Sequence, residues 1–326
     1  MILVTGATGL VGAHLCLTLL KKNNRIVALY RREKKREITR TFFESKNELA
    51  LYDKITWRKA DLTHLPDLSL AFNDITTVYH CAAYISMAHH KLNELQQTNQ
   101  LGTSYVANLC IENKIKKLAY VSSIAALGHD TKTGLIDENT PWNPTVEKTP
   151  YAYSKYGAEL EIWRASQEGV PVVIVNPGVI LGKGMPRSPQ EQLLSQINRG
   201  LRFYPTGNTG YVVVEDVVMA MIKLMDSNIN NERFILVAEN ISYQKITQLF
   251  AQILQKKPPT IPLRKGLLQL IWVLESMFSF LGLRKKIMTK ALINSLCDTR
   301  KIKGSKIMDT IDFEYTKIRP YLNQQT

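Results

Sequence analysis

One stretch near the start of the chain constrains it more than any other. Thr5-Gly6-Ala7-Thr8-Gly9-Leu10-Val11-Gly12 follows the apolar run Ile2–Thr5 and opens a helical pattern. Gly6 permits a tight turn there, and Gly9 lets backbone approach a ligand with no Cβ in the way. Gly12 lets the helix pack closely on the strand. The helix start offers unpaired N–H groups and the positive end of a dipole, which together suit a phosphate. The spacing is Gly-x-x-Gly-x-x-Gly. Such glycines carry little weight alone and much weight between a strand and a helix.

The rest of the first half repeats that alternation. Stretches 2–5, 25–30, 55–58, 78–81, 117–122 and 172–175 are short, rich in Val, Ile, Leu and Tyr, and bounded by polar or Gly residues. They read as strands. Helical patterns such as 12–22 and 96–113 lie between most of them. Strand–helix alternation implies parallel strands joined by right-handed crossovers, hence an α/β doubly wound parallel sheet. Residues 1–177 are expected to form this dinucleotide-binding Rossmann domain. After Pro177, turns rich in Gly and Pro appear and most of the chain reads as helix. Residues 178–326 are expected to form a smaller, mainly helical substrate-binding region. Candidate strands at 211–214 and 234–237 are expected to return to the first sheet.

Charge narrows the ligands. Lys and Arg total 42 against 28 Asp and Glu, a balance of +14 in 326 residues. Such a surface attracts anions, phosphorylated cofactors included. The run from Arg31 to Arg40 concentrates part of it. Cys16, Cys81, Cys110 and Cys297 are scattered, with no spacing that suits zinc, so no metal site is expected. Free thiols and the lack of a leader pattern at Met1 point to the cytoplasm. Residues 267–283 are strongly apolar around Glu275, and Arg284-Lys285-Lys286 follows. This reads first as a buried or substrate-lining helix, with peripheral membrane contact through 267–286 as the alternative.

Tyr151-Ala152-Tyr153-Ser154-Lys155 places Tyr151 and Lys155 on one helical face, because positions i and i+4 share a face. A free Tyr has a pKa of about 10, and a neighbouring ammonium is expected to lower it. Ser122 and Ser123 end the fifth strand, where a hydroxyl could steady a charge developing on a carbonyl oxygen. A strand-end cap is the plain alternative for both serines. Together with the glycine turn, these motifs make the chain resemble the extended branch of the short-chain dehydrogenase/reductase superfamily, from Thr5 to about Asp216. The pattern is most similar to the dihydroflavonol reductase-like carbonyl reductases, through Asn176-Pro177-Gly178-Val179-Ile180-Leu181-Gly182 and 210–217.

The resemblance implies a site. Ser123, Tyr151 and Lys155 would be catalytic, with Tyr151 giving the proton and Ser123 steadying the oxygen. Lys155 would tune Tyr151 and hold the nicotinamide ribose. Gly6, Thr8, Gly9, Leu10 and Gly12 would cradle the pyrophosphate. Asp61 and Leu62 would meet the adenine, Ala82 and Ala83 would run beneath the cofactor, and Pro177 would complete its site. Asn99 would support the site by a structural hydrogen bond, and His80 would pack. Where an NAD site usually carries Asp or Glu, the second strand ends in Arg31 and Arg32. A guanidinium can pair with a 2′-phosphate that a carboxylate would repel. The expected cofactor is therefore NADP(H) rather than NAD(H).

The expected reaction is NADP(H)-dependent reduction of an apolar aldehyde or ketone. Dehydration is disfavoured, because Ile124 and Ala125 stand where such enzymes carry Asp-Glu. Nucleotide-sugar epimerisation with bound NAD is the alternative, with Arg187, Arg199 and Arg202 available to a substrate pyrophosphate. A non-catalytic NADP(H)-sensing or nucleic-acid-binding module is a third reading, against which the Ser, Tyr and Lys argue. No nucleic-acid partner is expected. A homodimer through the helices bearing Asn99 and Tyr151 follows from the resemblance.

Overall fold

The structure is a computed structural model and describes residues 1–128, 134–186, 188–280 and 288–324. Seven parallel strands form the main sheet: β1 (Ile2–Thr5), β2 (Ile26–Tyr30), β3 (Thr56–Lys59), β4 (Thr77–His80), β5 (Lys117–Val121), β6 (Val172–Pro177) and β7 (Glu232–Leu236). They lie in the order β7-β6-β5-β4-β1-β2-β3. The direction of winding reverses between β1 and β4. A crevice opens there at the carboxyl ends, where sheets of this kind bind ligands.

Side-chain alternation explains the apolar runs. Leu3, Val27, Val78, Leu118, Tyr120 and Ile174 feed one core, and Val4, Ala28, Tyr79, Ala119, Val121 and Val175 feed the other. Helices cover both faces, so both registers of each central strand must be apolar. β3 is the exception, because it is an edge. Its Thr56, Trp57, Arg58 and Lys59 are polar enough to blunt it, and Arg58 donates to the carbonyls of Ala71 (2.9 Å) and Asn73 (2.8 Å).

The two later strands part company. The stretch expected at 234–237 joins the main sheet as β7, parallel to β6. The stretch expected at 211–214 does not. It forms Asn208–Val213, which pairs with Val179–Leu181 and Glu239–Ser242 in a separate three-stranded sheet. Gly178 is where the chain steps off β6. A Cβ there would come within 2.3 Å of the Gly210 carbonyl oxygen, so no side chain fits between the two backbones. The region after Pro177 thus contains several short strands beside its helices. Its helix Val214–Asp226 packs Val217, Val218 and Met221 onto the first domain's core.

Candidate active site

The glycine turn packs too closely on its neighbours for side chains. Gly6 sits at φ +67°, and a Cβ on it would strike the Ala82 amide at 2.6 Å. A Cβ on Gly12 would lie 2.2 Å from the Gly6 carbonyl oxygen, so the helix Leu10–Lys21 can rest on the turn only with glycine there. Gly9 begins that helix with no side-chain cap. Its first amides therefore have no side-chain acceptor and point out of the turn.

A cleft of about 380 Å³ runs from this turn along the crevice. Of the expected cofactor residues, Gly6, Thr8, Gly9, Arg31, Arg32, Asp61, Leu62, Ala82 and Ala83 line it. Leu10, Gly12, Lys155 and Pro177 do not: Leu10 packs on the core beside the turn, Gly12 carries the helix–turn contact, and Lys155 and Pro177 are buried, the latter at the end of β6. Lys35 joins the lining, one turn into the helix Glu33–Ser45. Sequence reasoning saw it only as part of a basic run. Arg31 reaches the Asp61 carboxylate at 3.4 Å. Burial would push that carboxyl up. Hydrogen bonds from the Thr63 amide and hydroxyl, together with Arg31, outweigh burial and hold it below the ordinary range. The pair is half-exposed and weak, so Arg31 can turn to another anion.

The end of β5 sorts the two serines. Successive residues of an extended chain point to opposite sides. Ser122 turns inward and donates to Glu159 Oε2 at 2.6 Å. Ser123 turns to the other side, close enough to the Tyr151 hydroxyl to favour its ionised form. Its Oγ also accepts from the Ala125 amide at 3.1 Å, so it caps a short turn as well. Tyr151 and Lys155 share a face of the helix Pro150–Gln167, which Thr149 caps by accepting from Ala152 N at 3.2 Å. Tyr153 points elsewhere and is 41% exposed, and Tyr156 stacks on Trp142.

Lys155 departs from expectation. Its ammonium is wholly buried and donates to Tyr120 Oη at 2.7 Å and the Val121 carbonyl at 2.8 Å. Burial drives its pKa down to about 7, although Glu159 one turn on opposes the drop. Tyr151 is likewise buried, and its pKa rises to about 12 rather than falling; the hydrogen bond with Ser123 only partly offsets burial. The physical reason is desolvation, which penalises both charged forms. Tyr120, the partner of Lys155, carried no signal in the sequence, because it is an ordinary apolar position of a buried strand.

Two supports complete the site. Asn99 accepts from the Tyr84 amide (2.7 Å) and donates to the Tyr84 carbonyl and to Ser154 Oγ (both 2.9 Å). It thereby ties the loop after β4 to the helix of Tyr151. It stands in a widened turn, Gln96–Leu101, that precedes the helix Gly102–Glu112. Behind the serines, Glu159 is 2% exposed and accepts from Ser122, Asn176 (2.8 Å) and Arg233 (3.1 Å). Asn176 also donates to the Ser123 carbonyl at 3.1 Å, fixing the serine's backbone. Sequence reasoning missed Glu159 and Arg233. Only a Lys155–Glu159 spacing of one helical turn could have suggested the first. Arg187 and Arg284-Lys285-Lys286 lie outside the described residues. Among the described residues no cluster of side chains could hold a metal.

Comparison with known proteins places the chain in a family. Residues 2–238 match the model of the NAD dependent epimerase/dehydratase family. A Synechocystis protein assigned as a dihydroflavonol 4-reductase is 30% identical over 289 residues, 86% of this chain and 80% of its own. Sterol demethylase protein B of Methylococcus capsulatus is 26% identical over 277 residues, 84% of this chain and 80% of its own. The solved structure of gox2253 superposes with a TM-score of 0.84 at 24% identity, covering 99% of this chain and 96% of that one.

Proposed function

Because the chain belongs to the NAD-dependent epimerase/dehydratase family and its relatives are oxidoreductases, we propose that it reduces an apolar aldehyde or ketone with NADP(H). The observation that carries this reading is the nearness of the Ser123 and Tyr151 hydroxyls, with Lys155 one helical turn on from Tyr151 and bonded to the Val121 carbonyl at the end of β5. The cleft next to them fits the nucleotide: glycine backbone for the pyrophosphate, and Arg31, Arg32 and Lys35 for a 2′-phosphate.

NADPH bound there would supply hydride to the carbonyl carbon. The chain supplies the rest. Tyr151, held above its ordinary pKa at about 12, keeps its proton at neutral pH and can give it to the carbonyl oxygen. Ser123 accepts from Ala125, so its own proton is left to donate, to the Tyr151 oxygen in the empty site and to the carbonyl oxygen once a substrate is bound. An ammonium has three donors. Lys155 uses two of them on Tyr120 and Val121, leaving one for the ribose hydroxyls. The names of the relatives, a dihydroflavonol 4-reductase and a sterol demethylase protein B, support an apolar substrate. The four cysteines are free, which suits the reducing cytoplasm we propose.

Three measurements test the reading. Titration with NADPH and NADH should show an empty, exchanging site that prefers NADPH. Arg31→Ala with Arg32→Ala should raise KM for NADPH at least tenfold more than for NADH, since a charge-assisted pair is worth roughly 1.5–3 kcal/mol. Co-purified, non-exchanging NAD would instead favour epimerisation. Tyr151→Phe should lower kcat by roughly 10²–10⁴ and leave NADPH binding intact; near-normal turnover would remove Tyr151 from the mechanism.

A further inference from the structure

The helix Lys265–Phe280 shows its apolar side to water. Leu267 (42%), Leu270 (57%), Ile271 (39%) and Leu274 (46%) are all exposed. They recur at i, i+3, i+4 and i+7, so they form one stripe. Leu268, off that stripe, is buried. An amphipathic helix of a water-soluble domain is normally turned the other way. The short sheet that leads into it adds to the surface. Phe203 and Ile261 are register partners there, and both are exposed.

The sequence on either side of the stripe carries charge of one sign. From Ile241 to Cys297 the sequence carries nine Lys and Arg against one acid, Glu275. Arg264 and Lys265 are exposed at the helix start, and Lys290 lies over the Trp272 ring at 5.3 Å. The one acid does not break the pattern. Glu275 is half-buried and accepts from the Met288 amide at 2.7 Å.

We propose that this helix lies in the surface of an anionic lipid bilayer. Its leucines would enter the acyl boundary, and Arg264, Lys265 and Lys290 would meet the headgroups. The geometry is that of a helix lying on a membrane: among the described residues no helix is long and apolar enough to cross one. A second copy of the chain fits less well. Two such faces would bring like charges together. Four side chains on a 16-residue helix also fall short of the roughly 800 Å² per partner that a stable dimer buries. The inference does not depend on which carbonyl the enzyme reduces.

Flotation of the full chain with vesicles decides it. The protein should rise with vesicles containing phosphatidylglycerol, far less with pure phosphatidylcholine, and lose binding at high salt. Arg264→Glu with Lys265→Glu should weaken partition by more than about tenfold, at roughly fivefold per basic residue. Leu270→Ser with Leu274→Ser should weaken it at least about tenfold. Melting temperature and NADPH binding serve as controls for folding. If the leucine pair melts early, the exposed charge pair carries the test. No binding to anionic vesicles, or binding indifferent to both pairs, overturns the proposal. So does a dimer in solution that the leucine pair dissolves while vesicles bind nothing.

Discussion

His80 shows how a single side chain can be read wrongly from its chemistry and rightly from its place. It ends β4 beside the site, yet its ring lies fully buried between two hydroxyls, Thr5 Oγ1 at 2.6 Å and Thr103 Oγ1 at 2.9 Å. Thr5 in turn accepts from the Ala82 amide at 3.2 Å, so the ring helps hold the turn beneath the cleft. Burial, aided by the charge of Lys155, lowers its pKa from 6.5 to about 3. A neutral ring in the fold and a titrating one in the unfolded chain give a definite sign. The unfolded state takes up the proton first, so stability is present above pH 6.5 and is lost as pH falls toward 3. This one group should add a slope of about 1.4 kcal/mol per pH unit in that window. Urea titrations at several pH values should show that slope in the parent chain and a shallower one in His80→Gln. Equal slopes would mean that the ring is charged in the fold. The sequence already marked this residue as packing, because small neighbours and a strand end leave it no open side. It did not show that Glu159, Asn176 and Arg233 meet behind Ser122, since they come from three separate elements.

Elements in this fold are closed by side chains from elsewhere. The helix Val214–Asp226 ends against Lys117, whose buried ammonium donates to the carbonyls of Leu224 (2.7 Å) and Ser227 (2.8 Å). A helix terminus presents unpaired carbonyls and a negative dipole end, and a lysine there answers both. Lys117→Met keeps the volume and removes the donors. It should cost about 1–3 kcal/mol in chemical unfolding, the cost of leaving buried carbonyls unpaired; an unchanged midpoint would show that water replaces the ammonium freely. Helix and strand positions were legible in the sequence because their periods are local. The widened turn at Gln96–Leu101 was not. It shifts the helix so that Asn99 can span from Tyr84 to Ser154, a demand set by distant residues.

At the scale of the molecule, the chain does not divide cleanly at Pro177. β7 and the helix Val214–Asp226 belong to the main sheet and its core although both come later in sequence. Arg233, on β7, also supplies the positive partner of the buried Glu159. A fragment of residues 1–177 would expose one side of β6, uncover part of a core and leave that carboxylate unpaired. A buried charge that loses its partner costs about 3–5 kcal/mol, a large share of a domain's stability of roughly 5–15 kcal/mol. The fragment should therefore lack a cooperative thermal transition by circular dichroism. A sharp transition would show that 1–177 is an autonomous domain.

What the sequence determined by itself is what neighbours along the chain can encode. The alternating periods of strand and helix, the glycines that admit a tight turn, and the shared face of Tyr151 and Lys155 all act over a few residues. Folding added what depends on approach through space. It turned Ser122 inward onto Glu159, gave Lys155 to Tyr120, and raised the Tyr151 pKa by burial. It also set residues 208–213 in a separate sheet and turned the leucines of Lys265–Phe280 outward. Desolvation and pairing energies depend on which surfaces meet, and residues far apart in sequence decide that only once the chain has folded.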